Sequence, residues 1–143
     1  MRSEPILVRV ILATALVIGG IGGTGCAARS AGKYAVYPAE PVRGRTLDVQ
    51  VFREGRYLEL TNTTTGPLEN TRLWINARFS IALDPIGVGE RRVVPLAALR
   101  DRHGEAFRAG GFWATERPDP VVLAEIERGG VFERLVVVRD RAD

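Results

Sequence analysis

A chain of 143 residues with 45% hydrophobic and 26% charged side chains has room for one domain with a real core, and it lies outside the composition typical of disorder. Its formal charge of +3 comes from arginines interleaved with acids; the densest basic points, Arg43 with Arg45 and Arg91 with Arg92, stand beside turn signals. This excludes the concentrated basic stripe with stacking aromatics that a nucleic-acid reader presents.

The chain opens with Arg2 and Arg9 around a short positive segment, then the uncharged run Val10-Ile-Leu-Ala-Thr-Ala-Leu-Val-Ile18, then small residues from Gly19 to Gly25. Positive, apolar and small, in that order, is the pattern of a secretory signal peptide. The small-residue zone ends on Cys26, the sole cysteine, so no disulfide can form within one molecule and an exported thiol needs another purpose. The leader resembles those of bacterial lipoproteins: Thr24-Gly25-Cys26 matches the last three positions of their lipobox, with Gly23 standing where an aliphatic residue is usual. The resemblance implies cleavage before Cys26 and a diacylglyceryl group on its sulfur. Ala27, in place of the aspartate associated with inner-membrane retention, directs the expectation to the outer rather than the inner membrane where a cell has two, facing the periplasm.

Two other readings stay open. The uncharged stretch from Val10 to Ala28, at about 1.5 Å per helical residue, approaches the roughly 30 Å hydrocarbon core and would serve as an uncleaved anchor. Against it, Gly19, Gly20, Gly22, Gly23 and Gly25 each weaken a helix by about 1 kcal/mol relative to alanine. The other is a plain secreted protein with an incidental thiol. Residues 1–25 are thus expected to be a signal peptide, residues 26–45 the anchored cysteine and a linker containing Pro38 and Pro41, and residues 46–143 the domain. Tyr34, Val36 and Tyr37 are candidates to dock on that domain as a first edge strand.

From Thr46 the pattern alternates, with Leu47, Val49 and Val51 on one face and Asp48 and Gln50 on the other, which marks a half-buried strand. Glu54-Gly55 signals a hairpin into Arg56 to Leu60, with Leu58 and Leu60 inward. Asn62 to Pro67 reads as a polar loop. Leu68 to Phe79 then alternates as a central strand, with Leu73, Ile75, Ala77 and Phe79 on one face and Trp74 on the other. Asp84 to Glu90 is a turn, and Arg92 to Leu96 a strand ended by Pro95. Ala97 to Arg102 allows one helical turn, closed by His103-Gly104; Gly110-Gly111 leads into Phe112 to Thr115, and Val121 to Ile126 and Val131 to Val138 complete the set. About seven short strands with frequent turn signals predict an all-β sandwich.

The run Leu58 to Asn70, containing Leu60-Thr-Asn-Thr-Thr-Thr-Gly-Pro67, followed by Leu73-Trp-Ile75 and by Gly89-Glu90 before Val93-Val-Pro-Leu96, resembles small bacterial immunoglobulin-like modules over residues 46 to 99. The resemblance implies an immunoglobulin-like β-sandwich and an envelope or extracellular role, and it brings no catalytic residue with it.

For chemistry the best polar cluster is Arg100-Asp-Arg-His-Gly-Glu105, which sets the sole histidine between two carboxylates. A metal-dependent or other hydrolase using Asp101, His103 and Glu105 is the alternative function. Against it, divalent sites draw ligands from separate elements, and two neighbouring arginines repel a cation. Ser30 and Ser80 sit in no nucleophile elbow, and no glycine-rich phosphate loop precedes a helix. Asn62-Thr63-Thr64 fits the glycosylation pattern, with a turn as the plain reading. Phe107, Phe112, Trp74 and Trp113 are the aromatics able to form a recognition patch, core packing being the other role open to them. The expectation is a non-enzymatic envelope lipoprotein without catalytic, metal or cofactor residues, lipidated at Cys26. It would bind another envelope protein by a sheet face, loop or strand edge rather than a small molecule, because so small a sandwich seldom has a deep pocket.

Overall fold

In the computed structural model, which describes residues 33–138, seven strands form one continuous curled sheet. They are β1 (Val42–Glu54), β2 (Tyr57–Asn62), β3 (Thr71–Ile75), β4 (Phe79–Leu83), β5 (Arg91–Pro95), β6 (Ala124–Arg128) and β7 (Val131–Val138), in spatial order β4-β3-β6-β7-β1-β2-β5. Neighbours run antiparallel except β1 and β7, which are parallel. The leader and Cys26 lie outside the described residues. Among the described residues no helix is long and apolar enough to cross a membrane.

Alternation along β1 decides which face is inside. Leu47, Val49 and Val51 are buried, and the antiparallel register brings Leu58 and Leu60 of β2 beside them. The same face continues through Leu135, Ile126, Leu73 and Ile75, while Leu68, Ile86, Leu96, Leu99 and Phe107 fill the core from the connections. One sheet can surround one core only if it bends. Two register shifts of β1 against β7, between Arg43 and Thr46 and between Thr46 and Gln50, supply local twist in the longest strand. The segment following β5 then reaches the opposite edge: Ser80 of β4 and Arg100 exchange backbone hydrogen bonds of 2.8 and 3.1 Å.

Several expectations change at turns. The single central strand expected over Leu68 to Phe79 is two strands, because Asn76 and Ala77 adopt left-handed backbone, at φ 54° and 53°, and reverse the chain. Alternation does not register this, since the apolar residues fall on matching sides of a hairpin as readily as along one strand. β4 is therefore an edge strand. The Asn76 side chain fastens the turn to the chain before β6: its amide donates to the Pro120 carbonyl at 2.7 Å, and its Oδ1 accepts the Val122 N–H at 2.9 Å. Phe112 to Thr115 is an exposed turn, not a strand, and β6 begins at Ala124. The helical turn expected from Ala97 is one turn of 3₁₀ helix at Leu96–Ala98. The β1–β2 hairpin is present with Gly55 and Arg56 as its loop residues, and β1 begins at Val42, ahead of the expected domain start.

Asn62, read as loop, is a fully buried strand end. Its side-chain amide donates to the carbonyls of Gly66, Ile86 and Gly87 at 3.0 to 3.1 Å, and its Oδ1 accepts both the N–H and the hydroxyl of Thr64. One side chain thereby holds the loop after β2 against the loop before β5, and its amide is closed to glycosylation. Asn62→Ala removes the buried side-chain bonds that join the two loops and is expected to lower stability by roughly 1–3 kcal/mol, read as a lower urea midpoint. A midpoint unchanged from wild type would show that the network does not hold the fold.

Candidate functional site

The candidate chemistry sits in the Asp101 turn. Asp101 is buried, and its Oδ1 accepts the backbone N–H groups of His103 and Glu105, each at 2.9 Å. Its Oδ2 takes the Arg78 guanidinium at 2.8 Å, and Arg78 also reaches Glu105 at 2.6 Å. Burial pushes the Asp101 carboxyl up, but Arg78 and the two amides more than offset this and hold it at about 2. The carboxylate is committed to shaping its own turn and to one arginine. His103 is exposed and accepts a hydrogen bond from Arg102 at 2.8 Å rather than facing Asp101. Among the described residues no three His, Cys, Asp or Glu side chains are grouped to hold a metal ion. Gly104, at φ 87°, is covered by the ring of Tyr34, against which any side chain at this position would collide.

A second cluster lies on the outer face, under the segment leading into β1. Trp74, expected on the polar face, is buried there: Tyr37 packs edge-on against it and against Phe132, with ring centroids 5.2 and 5.1 Å apart. The Tyr37 hydroxyl donates to the buried carboxylate of Glu125 at 2.7 Å, Arg43 pairs with the other oxygen, and the Trp74 indole N–H donates to Glu127 at 2.8 Å. Desolvation, and then the bond to Glu125, raise the Tyr37 hydroxyl above its ordinary value. Tyr37 docks as a strap across the sheet and not as an edge strand; every polar tip in the cluster has a partner.

The third feature is the loop from Arg108 to Asp119. Its neck is closed by the Asp119 N–H on the Arg108 carbonyl at 3.0 Å and by Arg108 on the Asp119 carboxylate at 2.6 Å, a bond that holds Asp119 below the usual carboxylate range. Arg53, reaching across from β1, donates to the carbonyls of Ala109 and Asp119 and lies over the Phe107 ring. The loop's apex is a turn closed by the Ala114 N–H on the Gly111 carbonyl at 3.0 Å, and its two corner residues are Phe112 and Trp113. They are 90% and 89% exposed, whereas Trp74 and Phe107 are buried. The four aromatics named from sequence thus divide evenly.

The outer face of β7, β1, β2 and β5 carries a fourth feature that composition did not single out. The registers align Val138, Phe52, Glu59 and Val93 in one cross-strand row, with Val136 and Tyr57 beside it. Phe52, Tyr57, Val93 and Val136 are all exposed, and Arg91 pairs with Glu59 at 3.1 Å within the face. The signal was present as the complement of the buried alternation: every other residue of a strand with an apolar inner face points outward, and here some of these are apolar too.

Comparison with known proteins finds no matching family model, no matching curated protein and no matching solved structure. Function is therefore read from the chain's own residues.

The Asp101 geometry sets a pH dependence. A carboxylate held at about 2 when folded, against 3.8 as its ordinary value, contributes stability that is full above that ordinary value and is lost as pH falls through the folded one. Asp101→Asn is expected to be less stable than wild type at neutral pH, with the gap narrowing between about pH 4 and pH 2 in urea titrations. Parallel pH profiles for the two proteins would contradict the assignment.

Proposed function

We propose that this chain is a non-enzymatic lipoprotein of the bacterial cell envelope, lipidated at Cys26, whose β domain presents a sheet face to another envelope protein. The observation that carries the binding role is the outer face bearing Phe52, Tyr57, Val93 and Val136, four exposed apolar side chains on adjacent strands. Single exposed apolar residues are ordinary, but several on one face interleaved with an ion pair have the mixed chemistry of a non-obligate interface. The sheet edge is less suited to binding, since β5 carries Arg91, Arg92 and Pro95, residues that blunt strand addition. The likeness to immunoglobulin-like modules belongs to this reading, and a sheet curled until its two halves share one core supports it.

The anchor fits the same role. Each buried acyl CH₂ contributes about 0.8 kcal/mol, so two or more chains on Cys26 hold the domain within a linker's length of the bilayer. The polar groups with catalytic potential support a non-enzymatic reading, because Asp101 and Glu105 are engaged by Arg78 and His103 by Arg102.

Two measurements test the proposal. Intact mass of membrane-extracted protein is expected to equal residues 26–143 plus acyl and glyceryl groups, and the addition should vanish in Cys26→Ala. An unmodified full-length mass, or an unmodified chain lacking its leader, would overturn the anchor. For the face, a photocrosslinking residue at Val93 is expected to yield one discrete adduct in intact cells, with none from Arg128 at the β6–β7 turn. Equal labelling at both positions, or at neither, would contradict binding through this face.

A further inference from the structure

The Phe112–Trp113 apex has no role in the sheet face or in the core. These are the two most exposed large hydrophobic side chains among the described residues. Their rings meet edge-to-face, with centroids 4.9 Å apart and planes at 90°, so they stand as one wedge. The backbone beneath is fixed: Gly110 at φ 81° lies against Pro118, where a Cβ would stand 3.0 Å from the proline ring, and Gly111 at φ 146° faces the Arg56 side chain. With the neck closed by Arg108 and Asp119 and clamped by Arg53, the wedge is held away from the domain and does not fold back on it.

We propose that this apex is a second membrane contact, inserting Phe112 and Trp113 into the headgroup layer of an anionic bilayer while Arg56 and Arg117 engage lipid phosphates. Three observations favour lipid over a protein pocket. Aromatic hot spots in protein interfaces sit inside a ring of packed neighbours that exclude water, whereas Gly110, Gly111, Ala114 and Thr115 give this wedge no such surround. Tryptophan with phenylalanine above arginine is the side-chain set that partitions to the bilayer interface, the rings at headgroup depth and the cations at the phosphates. Arg56 and Arg117 are exposed and make no ion pair among the described residues, in contrast to Arg108 between them in the loop's neck. A shallow basin of about 570 Å³ beside the apex is lined by Arg56, Gly110, Gly111, Phe112, Trp113 and Ala114, and it sets one guanidinium next to the aromatic wedge. The inference rests on the membrane-side location proposed above and adds the domain's own grip on that surface. With a tether at one point and a wedge at another, the domain is oriented against the bilayer and does not swing on its linker.

The chain has two tryptophans, which makes the test direct. Trp74 is 1% exposed and bonded to Glu127, so quenchers carried in lipid reach Trp113 alone. The full-length protein is reconstituted into vesicles of phosphatidylcholine and phosphatidylglycerol, with and without bromine near the headgroup end of the acyl chains, and vesicle-bound protein is collected by flotation. Bromine is expected to quench the Trp113 emission, because an interfacial indole sits at headgroup depth beside the brominated chain ends. Trp113→Phe should leave only unquenched Trp74 emission. Phe112→Ser, and Arg56→Glu with Arg117→Glu, should each weaken the quenching; all four positions are exposed, so the fold is preserved. Trp113 emission that stays water-like and insensitive to bromine in floated vesicles would overturn the proposal and leave a protein pocket as the occupant of the wedge. Intact mass on the same preparation separates the two ideas: absent acyl groups remove the anchor at Cys26, whereas absent quenching removes the wedge.

Discussion

The parallel pairing of β1 with β7 joins two groups of strands that otherwise share no ladder. On one side stand β1, β2 and β5, on the other β7, β6, β3 and β4. Within each group the strands pair antiparallel, and the consecutive pairs β1–β2, β3–β4 and β6–β7 are local hairpins that can form early, whereas β2–β5 and β3–β6 are longer-range and the β1–β7 pairing brings Val42 beside Val131 and Phe52 beside Val138. That closure spans most of the described chain and carries a large loop-entropy cost before any contact repays it. It is also what makes a core, since Leu47, Val49 and Val51 on one side meet Leu135 and Ile126 on the other only when the sheet is whole. The Ser80–Arg100 bridge is a second seam at the opposite side, and together the two seams make a curled sheet a container.

Polar side chains inside or at the rim of this container serve to fix connections. Asn62 holds two loops, Asn76 binds a hairpin turn to the segment before β6, Asp101 shapes the turn after Arg100, and Arg53 clamps the neck of the long loop. In each case a side chain satisfies backbone groups that have left the ladders, which is where a sheet of short strands is most exposed to unpaired hydrogen-bonding groups. The fold therefore uses these asparagines and charged residues as loop fasteners. Glu125 follows the same rule on the outer face, where Tyr37 and Arg43 occupy both of its oxygens.

What was legible in the sequence follows from this division. Period-two alternation marked β1 and β2, together with the buried set Leu47, Val49, Val51, Leu58 and Leu60, because burial of one face is a property of each strand alone, and the β-branched run Val131 to Val138 marked β7. The break at Asn76 was not legible, since a hairpin with two left-handed residues needs no glycine when an asparagine side chain is anchored by a distant segment. Trp74 misled for a related reason: its neighbours Arg72 and Asn76 made its face look solvated, and the strap bearing Tyr37 covers it from a stretch read as linker. Phe112 and Trp113 misled in the opposite direction. Two large aromatics after two glycines read as a strand start, whereas the glycines serve to support a turn.

That inversion bears on how the surface was shaped. A domain of this size has every incentive to bury a phenylalanine and a tryptophan, each of which removes on the order of 150–250 Å² from water when enclosed. Here the core is already filled by smaller aliphatics with Phe79 against Phe107, at 5.1 Å between centroids, and the loop that carries the remaining aromatics is fastened at its neck by Arg53 and Arg108. Such fastening orders charged side chains with rotamer freedom to lose, and its effect is to keep an apolar wedge in water. A loop of this construction has its stability in the neck and its apolar surface at the apex, so the apex is available to an apolar phase outside the domain at little cost in folded structure. The sheet face around Phe52 and Val93 differs in kind: its strands are joined by ladders, and an ion pair between Glu59 and Arg91 runs through it. An extended strand face with interleaved charge suits a folded partner, and a projecting aromatic pair suits a soft phase; the β1–β2 hairpin contributes to both, with Tyr57 on the face and Arg56 against Gly111 of the apex loop.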